Sequence, residues 1–303
     1  MQVIAKGDGK LQDTEITFLF VEKKPEFATN LEEAVSSMQL PSNFRWRVEK
    51  GSFEDKIGRL LELFKRHGKH LAPTFAFIDP FGATGLPFAV ITEILKQQGC
   101  EVLLNLDSDG IGRLVSARSI QKNQVHLDSL FGDSSWKTEL NPKDASKLPS
   151  QVLGLYKKKL KTIVPYVFAF AMNSRVGQLN YHLVFATHHP LGLEKMKEGM
   201  KAVDQTGAYS FSDDTVGQEM LGFDFSEHVV WAERMQRELS GKWRPYSDFR
   251  DYALNETPFI NPKAMLQELE KRGRLEIKAA PNRRKGTFPE DKIEQILIWK
   301  DLL

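Results

Sequence analysis

The sequence predicts an α/β protein: a sheet built by strand–helix alternation, a helical insertion within it, and a C-terminal segment with the winged-helix pattern. Three observations carry this. Apolar runs at Ile16–Glu22, Thr74–Asp79 and Cys100–Asp107 each lead into a stretch of helical period, as in a parallel sheet with crossover helices. Residues 110–162 hold helical pieces and no clear strand. After about residue 225, three helical stretches precede two short strands joined by a basic, turn-rich link.

Taken in order, ITFLFVE is a short apolar run that reads as the first strand. Pro25 to Met38 then places Phe27, Leu31, Ala34 and Val35 on one helical face. FRWRVEKGSF (Phe44 to Phe53) alternates as a weaker strand, and Ile57 to Arg66 is helical. TFAFID is continuously apolar up to Asp79, as in a strand buried on both faces. Leu86 to Gln97 reads as a helix, with Pro87 tolerated in its first turn. CEVLLNLD is another buried strand. IGRLVSARSI and PSQVLGLYKKKLK supply the helices of the insertion. PYVFAFAM and YHLVFATH then form an antiparallel pair across the hairpin-like link NSRVGQLN, followed by a helix from Leu193 to Val203.

SFSDDTVGQ is polar and reads as a loop, and the domain boundary falls near Phe225. The expected division is therefore an α/β domain at 1–225, with its insertion at about 110–162, and a winged-helix-like domain at 226–303. Helices at His228–Leu239, Asp248–Leu254 and after Pro262 precede the strands LEIKA and IEQILIW. Asn261 and Gly273 are the expected caps of the third helix.

Composition narrows the functional classes. The chain has 303 residues, 27% charged and 41% hydrophobic, and a net charge of +2. No segment reaches the roughly 18 apolar residues of a membrane helix, and MQVIAKGDGKLQDTE lacks the apolar core of a signal peptide. The single cysteine, Cys100, excludes an internal disulfide and reads as a buried thiol in a reducing cytoplasm. So small a net charge assigns any nucleic-acid binding to a local patch.

A doubly wound sheet binds its ligands beyond the carboxyl ends of its strands. Glu22 stands at such an end and suits a ribose diol, or else heads a helix as a solvated charge. Ser52 and Phe53 offer a polar contact and an apolar face for an adenine, or else a plain turn. Asp79, Pro80 and Phe81 form the sharper constellation. A target amino group needs acceptors for its hydrogens, which the Asp79 carboxylate and the Pro80 carbonyl supply, while Phe81 stacks on the base. The competing reading is a turn, since aspartate, proline and glycine are turn residues.

His188 and His189 are adjacent in an extended strand and point to opposite faces, which makes a poor chelate, so no metal site is expected. Between Lys271 and Lys285 there are seven Lys or Arg against the single acid Glu276. Arg283, Arg284 and Lys285 at the hairpin tip are the candidate phosphate contacts, or else a solvated basic surface.

The blocks FVEKKPE, FAFIDPFGATGLP, EVLLNLDSDGIGRL, FATHHPLGLEKMKEGM, YSFSD and RRKGTFP, in this order, resemble the three-Cys-motif partner proteins. The resemblance implies a Rossmann-like, class I S-adenosylmethionine-dependent methyltransferase-type sheet of strand order 3-2-1-4-5-7-6. It also implies a helical insertion and a C-terminal winged-helix-like segment. It implies S-adenosylmethionine as cofactor, with Glu22 on the ribose and Ser52-Phe53 on the adenine side. The implied partners are a three-Cys-motif protein encoded nearby and DNA or RNA. Asp79-Pro80-Phe81 resembles the Asp-Pro-Pro-aromatic motif of amino-methylating enzymes; the second proline is absent, so the aromatic stands one place early.

The family begins with a strand and a glycine loop of the type Asp-x-Phe-Ala-Gly-Pro-Gly, which this sequence does not contain. Ile16–Glu22 then matches the family's second strand. The expectation is a fragment, a misplaced start or a decayed copy, with Ile16–Glu22 and Thr74–Asp79 left without a strand between them. Two functions follow: a methyltransferase-like enzyme acting on nucleic acid, or an inactive scaffold that binds the three-Cys-motif protein or nucleic acid.

Overall fold

The computed structural model describes residues 13–80, 85–116, 120–173, 179–203, 210–212 and 226–300. Strands and helices alternate first: β1 (Ile16–Glu22), α1 (Pro25–Ser36), β2 (Phe44–Lys50), α2 (Phe53–Arg66), β3 (Thr74–Ile78), α3 (Phe88–Leu95) and β4 (Cys100–Leu106). Four helices follow: α4 (Ser108–Ser116), α5 (Ile120–Phe131), α6 (Trp136–Glu139) and α7 (Leu148–Leu160). Then come β5 (Tyr166–Asn173), β6 (Leu179–Thr187), α8 (Pro190–Val203) and β7 (Ser210–Ser212). The C-terminal part holds α9 (Ser226–Leu239), β8 (Trp243–Arg244), α10 (Tyr246–Glu256), α11 (Lys263–Lys271), β9 (Leu275–Ala279) and β10 (Ile293–Ile298). The chain is thus a mixed α/β protein.

β1 and β2 form a parallel two-stranded sheet, with Ile16 beside Phe44 and Glu22 beside Lys50. A separate five-stranded sheet runs β3-β4-β6-β5-β7. Within it β3 and β4 are parallel, and β6 is antiparallel to both β4 and β5. Among the described residues, β1 pairs only with β2 and β3 only with β4. The two sheets share a helical layer: α2 packs against β1 and α3. Leu61 of α2 enters the core formed by Ile78, Leu86, Val90 and Leu104.

The split changes how β3 is buried. The sequence reads Thr74–Asp79 as covered on both faces, but only Ile78 is fully buried, and Phe75 and Phe77 are 53% and 59% exposed. The apolar run is real. At the edge of its sheet, however, no described element covers the face that carries Phe75, Phe77 and Asp79. In β1 no residue is fully buried, although five of its seven are large and apolar. β4, flanked on both sides, buries five of seven.

Other differences are local. The strand read as Phe44–Phe53 ends at Lys50, because Ser52 caps α2 and Phe53 begins it. Part of the polar stretch after Tyr209 pairs with β5 as β7. Of the link between the antiparallel strands, Asn173 ends β5, Leu179 begins β6, and residues 174–178 lie outside the described residues. Lys263–Lys271 takes Pro262, not Asn261, as its first cap, while Asn261 Oδ1 accepts the Lys263 N–H at 3.1 Å. Its other end closes as expected. Gly273 at φ 65° lets its own N–H reach Glu270 O and the Arg274 N–H reach Leu269 O.

The C-terminal part has its own core, in which α9, α10 and α11 pack on β10 through Met235, Phe249, Leu266 and Ile296. β10 pairs with β9 and with the short strand β8, giving a three-stranded sheet.

This unit docks on the five-stranded sheet through α10. Asn255 zips the start of β5, on the side where β7 pairs only with Ala171–Asn173: its Oδ1 accepts the Val167 N–H at 2.9 Å and its Nδ2 donates to Pro165 O at 3.1 Å. The fully buried Lys197 of α8 donates to Ala253 O, Thr257 O and Phe259 O at 3.2, 2.7 and 3.1 Å. Ala253 O and Thr257 O lie at the C-terminal, negative end of α10, and Phe259 O lies in the segment just beyond it. Its ammonium also lies 4.0 Å from the Phe168 ring centroid. Burial, then the like charge of Lys157, pushes the Lys197 pKa well below the ordinary lysine value, and the Glu256 carboxylate opposes that.

Lys197→Met keeps the length and removes the donor, leaving carbonyls buried and unpaired. It should cost about 2–4 kcal/mol, read as a lower urea midpoint. An unchanged midpoint would show that the docking does not depend on this ammonium.

Candidate functional site

The carboxyl ends of β3 and β4 bring one unused carboxylate into the open. Asp79 follows β3 directly and is exposed. It accepts a hydrogen bond from Asn105 Nδ2 at 2.9 Å. Parallel pairing sets Ile78 beside Leu104, so the next residues, Asp79 and Asn105, meet on one face. The Asn105 Oδ1 is buried and has no partner. Phe75 and Phe77 lie below Asp79 on the same face by the two-residue period, and Phe75 sits 6.4 Å from Phe185. The carboxylate thus ends an open aromatic strip. Pro80 is described and half-buried; Phe81 lies outside the described residues.

The other strand-end acids are engaged in local structure. Asp107 caps α4, accepting the Gly110 N–H at 2.7 Å; a Cβ on Gly110 would sit 2.1 Å from the same carboxylate, so glycine is required. Asp109 pairs with Arg113 one turn on. Glu22 turns one oxygen onto the Lys24 N–H at 2.8 Å, heading α1. Ser52 Oγ accepts the Asp55 N–H at 3.1 Å as the cap of α2, and Phe53 packs on the main core. Glu22, Ser52 and Phe53 therefore all serve local structure, and only Glu22 keeps an uncommitted oxygen.

One buried polar pair was not singled out from the sequence. Ser108 Oγ and His182 Nδ1 are 2.9 Å apart, and both side chains are buried. Burial, then the charge of Lys157, lowers the His182 pKa to about 4. A histidine inside an apolar strand gives no sequence signal of its partner, 74 residues away.

At the C-terminal hairpin, Arg283 is committed inward. It donates to Glu270 Oε1 at 2.7 Å and to Thr287 O at 2.9 Å, and it covers the Phe288 ring. Glu270 also accepts the Gly286 N–H at 2.8 Å, so this pair ties the hairpin to α11. Arg284 and Lys285 are exposed. Of the three candidate phosphate contacts, these two have no ion-pair partner among the described residues.

No protein-family model matches the chain, and no curated protein or solved structure is similar to it. Among the described residues no group of three or more His, Cys, Asp or Glu is placed to hold a metal ion. His188 bonds Leu95 O and His189 Nδ1 accepts the Leu191 N–H. No helix of the described residues is long and apolar enough to cross a membrane.

The buried, neutral His182 makes stability depend on pH. Its folded pKa lies below the unfolded value of 6.5. Its contribution is therefore complete above pH 6.5 and is lost as pH falls towards 4, at up to about 1.4 kcal/mol per pH unit. Urea unfolding at pH 7 and at pH 4.5 should show a smaller acid loss for His182→Gln than for the wild type. Equal losses would remove His182 as the cause.

Proposed function

We propose that the chain is a three-Cys-motif partner protein whose α/β part is a class I methyltransferase-type domain acting on nucleic acid. The observation that carries this is the Asp79 carboxylate, exposed at a strand end and held by a neutral amide instead of a cation. Such a group accepts a hydrogen bond from a target amino group without first being stripped of a counter-ion. The strand order supports the same reading. β2-β1, a break, then β3-β4-β6-β5, with β6 reversed, follows the order 3-2-1-4-5-7-6 with its first strand left out. The C-terminal unit, three helices and a three-stranded sheet with a basic hairpin, has the make-up of a winged helix.

The residues fit the cofactor only in part. S-adenosylmethionine supplies a methyl group activated for attack by an amine. Glu22 Oε2 is available for one ribose hydroxyl, while Ser52 Oγ and the Phe53 ring are used elsewhere. No transfer step is therefore derived. Asp79 accepts from the substrate's amino group, and Asn105 holds the carboxylate in place.

That partial fit favours a second reading, a scaffold that binds the three-Cys-motif protein or nucleic acid without catalysis. Titration calorimetry with S-adenosylmethionine separates the two. Low-micromolar binding, with label transfer to DNA or RNA that falls roughly 100-fold in Asp79→Ala, is the expected result for the enzyme. Full transfer by Asp79→Ala removes the assignment. Absence of binding heat, with co-purification of the three-Cys-motif protein, selects the scaffold.

A further inference from the structure

We propose that the outer face of the sheet β8-β10-β9 is a platform for single-stranded nucleic acid, with Trp299 as its stacking anchor. Ile296 and Ile298 turn into the C-terminal core, so the two-residue period sends Gln295, Leu297 and the next step, Trp299, to the opposite face. The register sets Trp243 and Glu276 beside Leu297, and Lys278 beside Gln295. Trp299 is 53% exposed. Its backbone is fastened on both sides, the N–H donating to Arg274 O at 2.9 Å and the carbonyl accepting from Gln236 Nε2 at 3.0 Å. An exposed indole on a fixed backbone loses little entropy when it is covered, which is how binding anchors work.

One cation covers a ring, and two more stand at the ends of β8 and β10. Lys278 Nζ lies 4.3 Å from the Trp243 ring centroid, reaching across β10. The Lys300 stem runs over Gly241, where a Cβ would meet its Cε at 2.7 Å. Lys242 is exposed at the start of β8. Among the described residues, Lys242, Lys278 and Lys300 have no ion-pair partner. Unneutralised ammoniums take phosphates, and an exposed indole takes the π-face of a base. A duplex hides those base faces, so the fitting partner is single-stranded. Glu276, the carboxylate on this face, suits a base amino group. At roughly 4.8 Å per strand the face is about 10 Å wide, room for two or three nucleotides.

This inference rests on the nucleic-acid half of the proposed function and is independent of methyl transfer. The test is the anisotropy of a labelled 12-nucleotide single strand titrated with the 303-residue chain, without cofactor, over a salt series. Three lysine–phosphate contacts predict a slope of log K against log salt of about −2. Trp299→Ala should weaken binding roughly 5- to 150-fold at an unchanged slope, Trp299→Phe should restore most of it, and the matching duplex should compete poorly. Replacing Lys242, Lys278 and Lys300 by Gln should flatten the slope.

Full affinity in Trp299→Ala, no binding by the wild type, or displacement by polyglutamate as effective as by unlabelled oligonucleotide would each overturn the proposal. Binding lost on Arg284→Gln with Lys285→Gln but indifferent to Trp299 sinks this inference and leaves the function above standing. Binding that depends on Trp299 in a protein without methyl transfer supports the platform and removes the enzyme reading.

Discussion

The arrangement of the molecule depends on one buried ammonium. Lys197 reaches from α8 to Ala253 O and Thr257 O at the end of α10 and to Phe259 O just beyond it. Burying a charge costs several kcal/mol unless every proton finds an acceptor, and here three carbonyls and the Phe168 ring do so. Asn255, Tyr166 with Asp251, and Lys161 with Glu256 surround the same contact. The C-terminal unit is therefore held against β5 in one orientation, and the basic hairpin and outer sheet face keep a set relation to Asp79.

A second constraint is the division between β1 and β3. Each has a single described strand neighbour, and each leaves large side chains exposed: Leu19 on one side, Phe75 and Phe77 on the other. The helices on the shared layer tolerate this, because α2 and α3 pack against each other whether or not the strands meet. On the other face the aromatic strip stays open below Asp79, while Glu22 heads α1.

The candidate site follows from which acids are already used. Asp107, Asp109 and Glu22 satisfy helix N-termini or a nearby arginine. Asp79 alone among them meets only an amide, and that amide keeps an unpaired oxygen buried beside it. Unpaired buried acceptors are uncommon in stable proteins. This one lies where substrate chemistry is proposed, as polar strain does at functional positions.

The sequence by itself determined the elements and the class. Apolar runs, capping residues and Gly273 are local signals, because propensity and hydrogen-bond closure act over a few residues. They placed β1 to β6, most helices and Asp79 at a strand end. Local signals also left both readings open for Glu22, Ser52 and Arg283, since a polar residue at a strand end or hairpin tip looks the same whether its partner is a ligand or the chain itself. Only the tertiary structure decided that Arg283 belongs to Glu270, that Asn105 holds Asp79, that Ser108 meets His182, and that Lys197 closes α10. Each of these pairs residues 13 to 74 positions apart. Such contacts depend on how helices cross and strands register, and that is settled by packing the whole core at once.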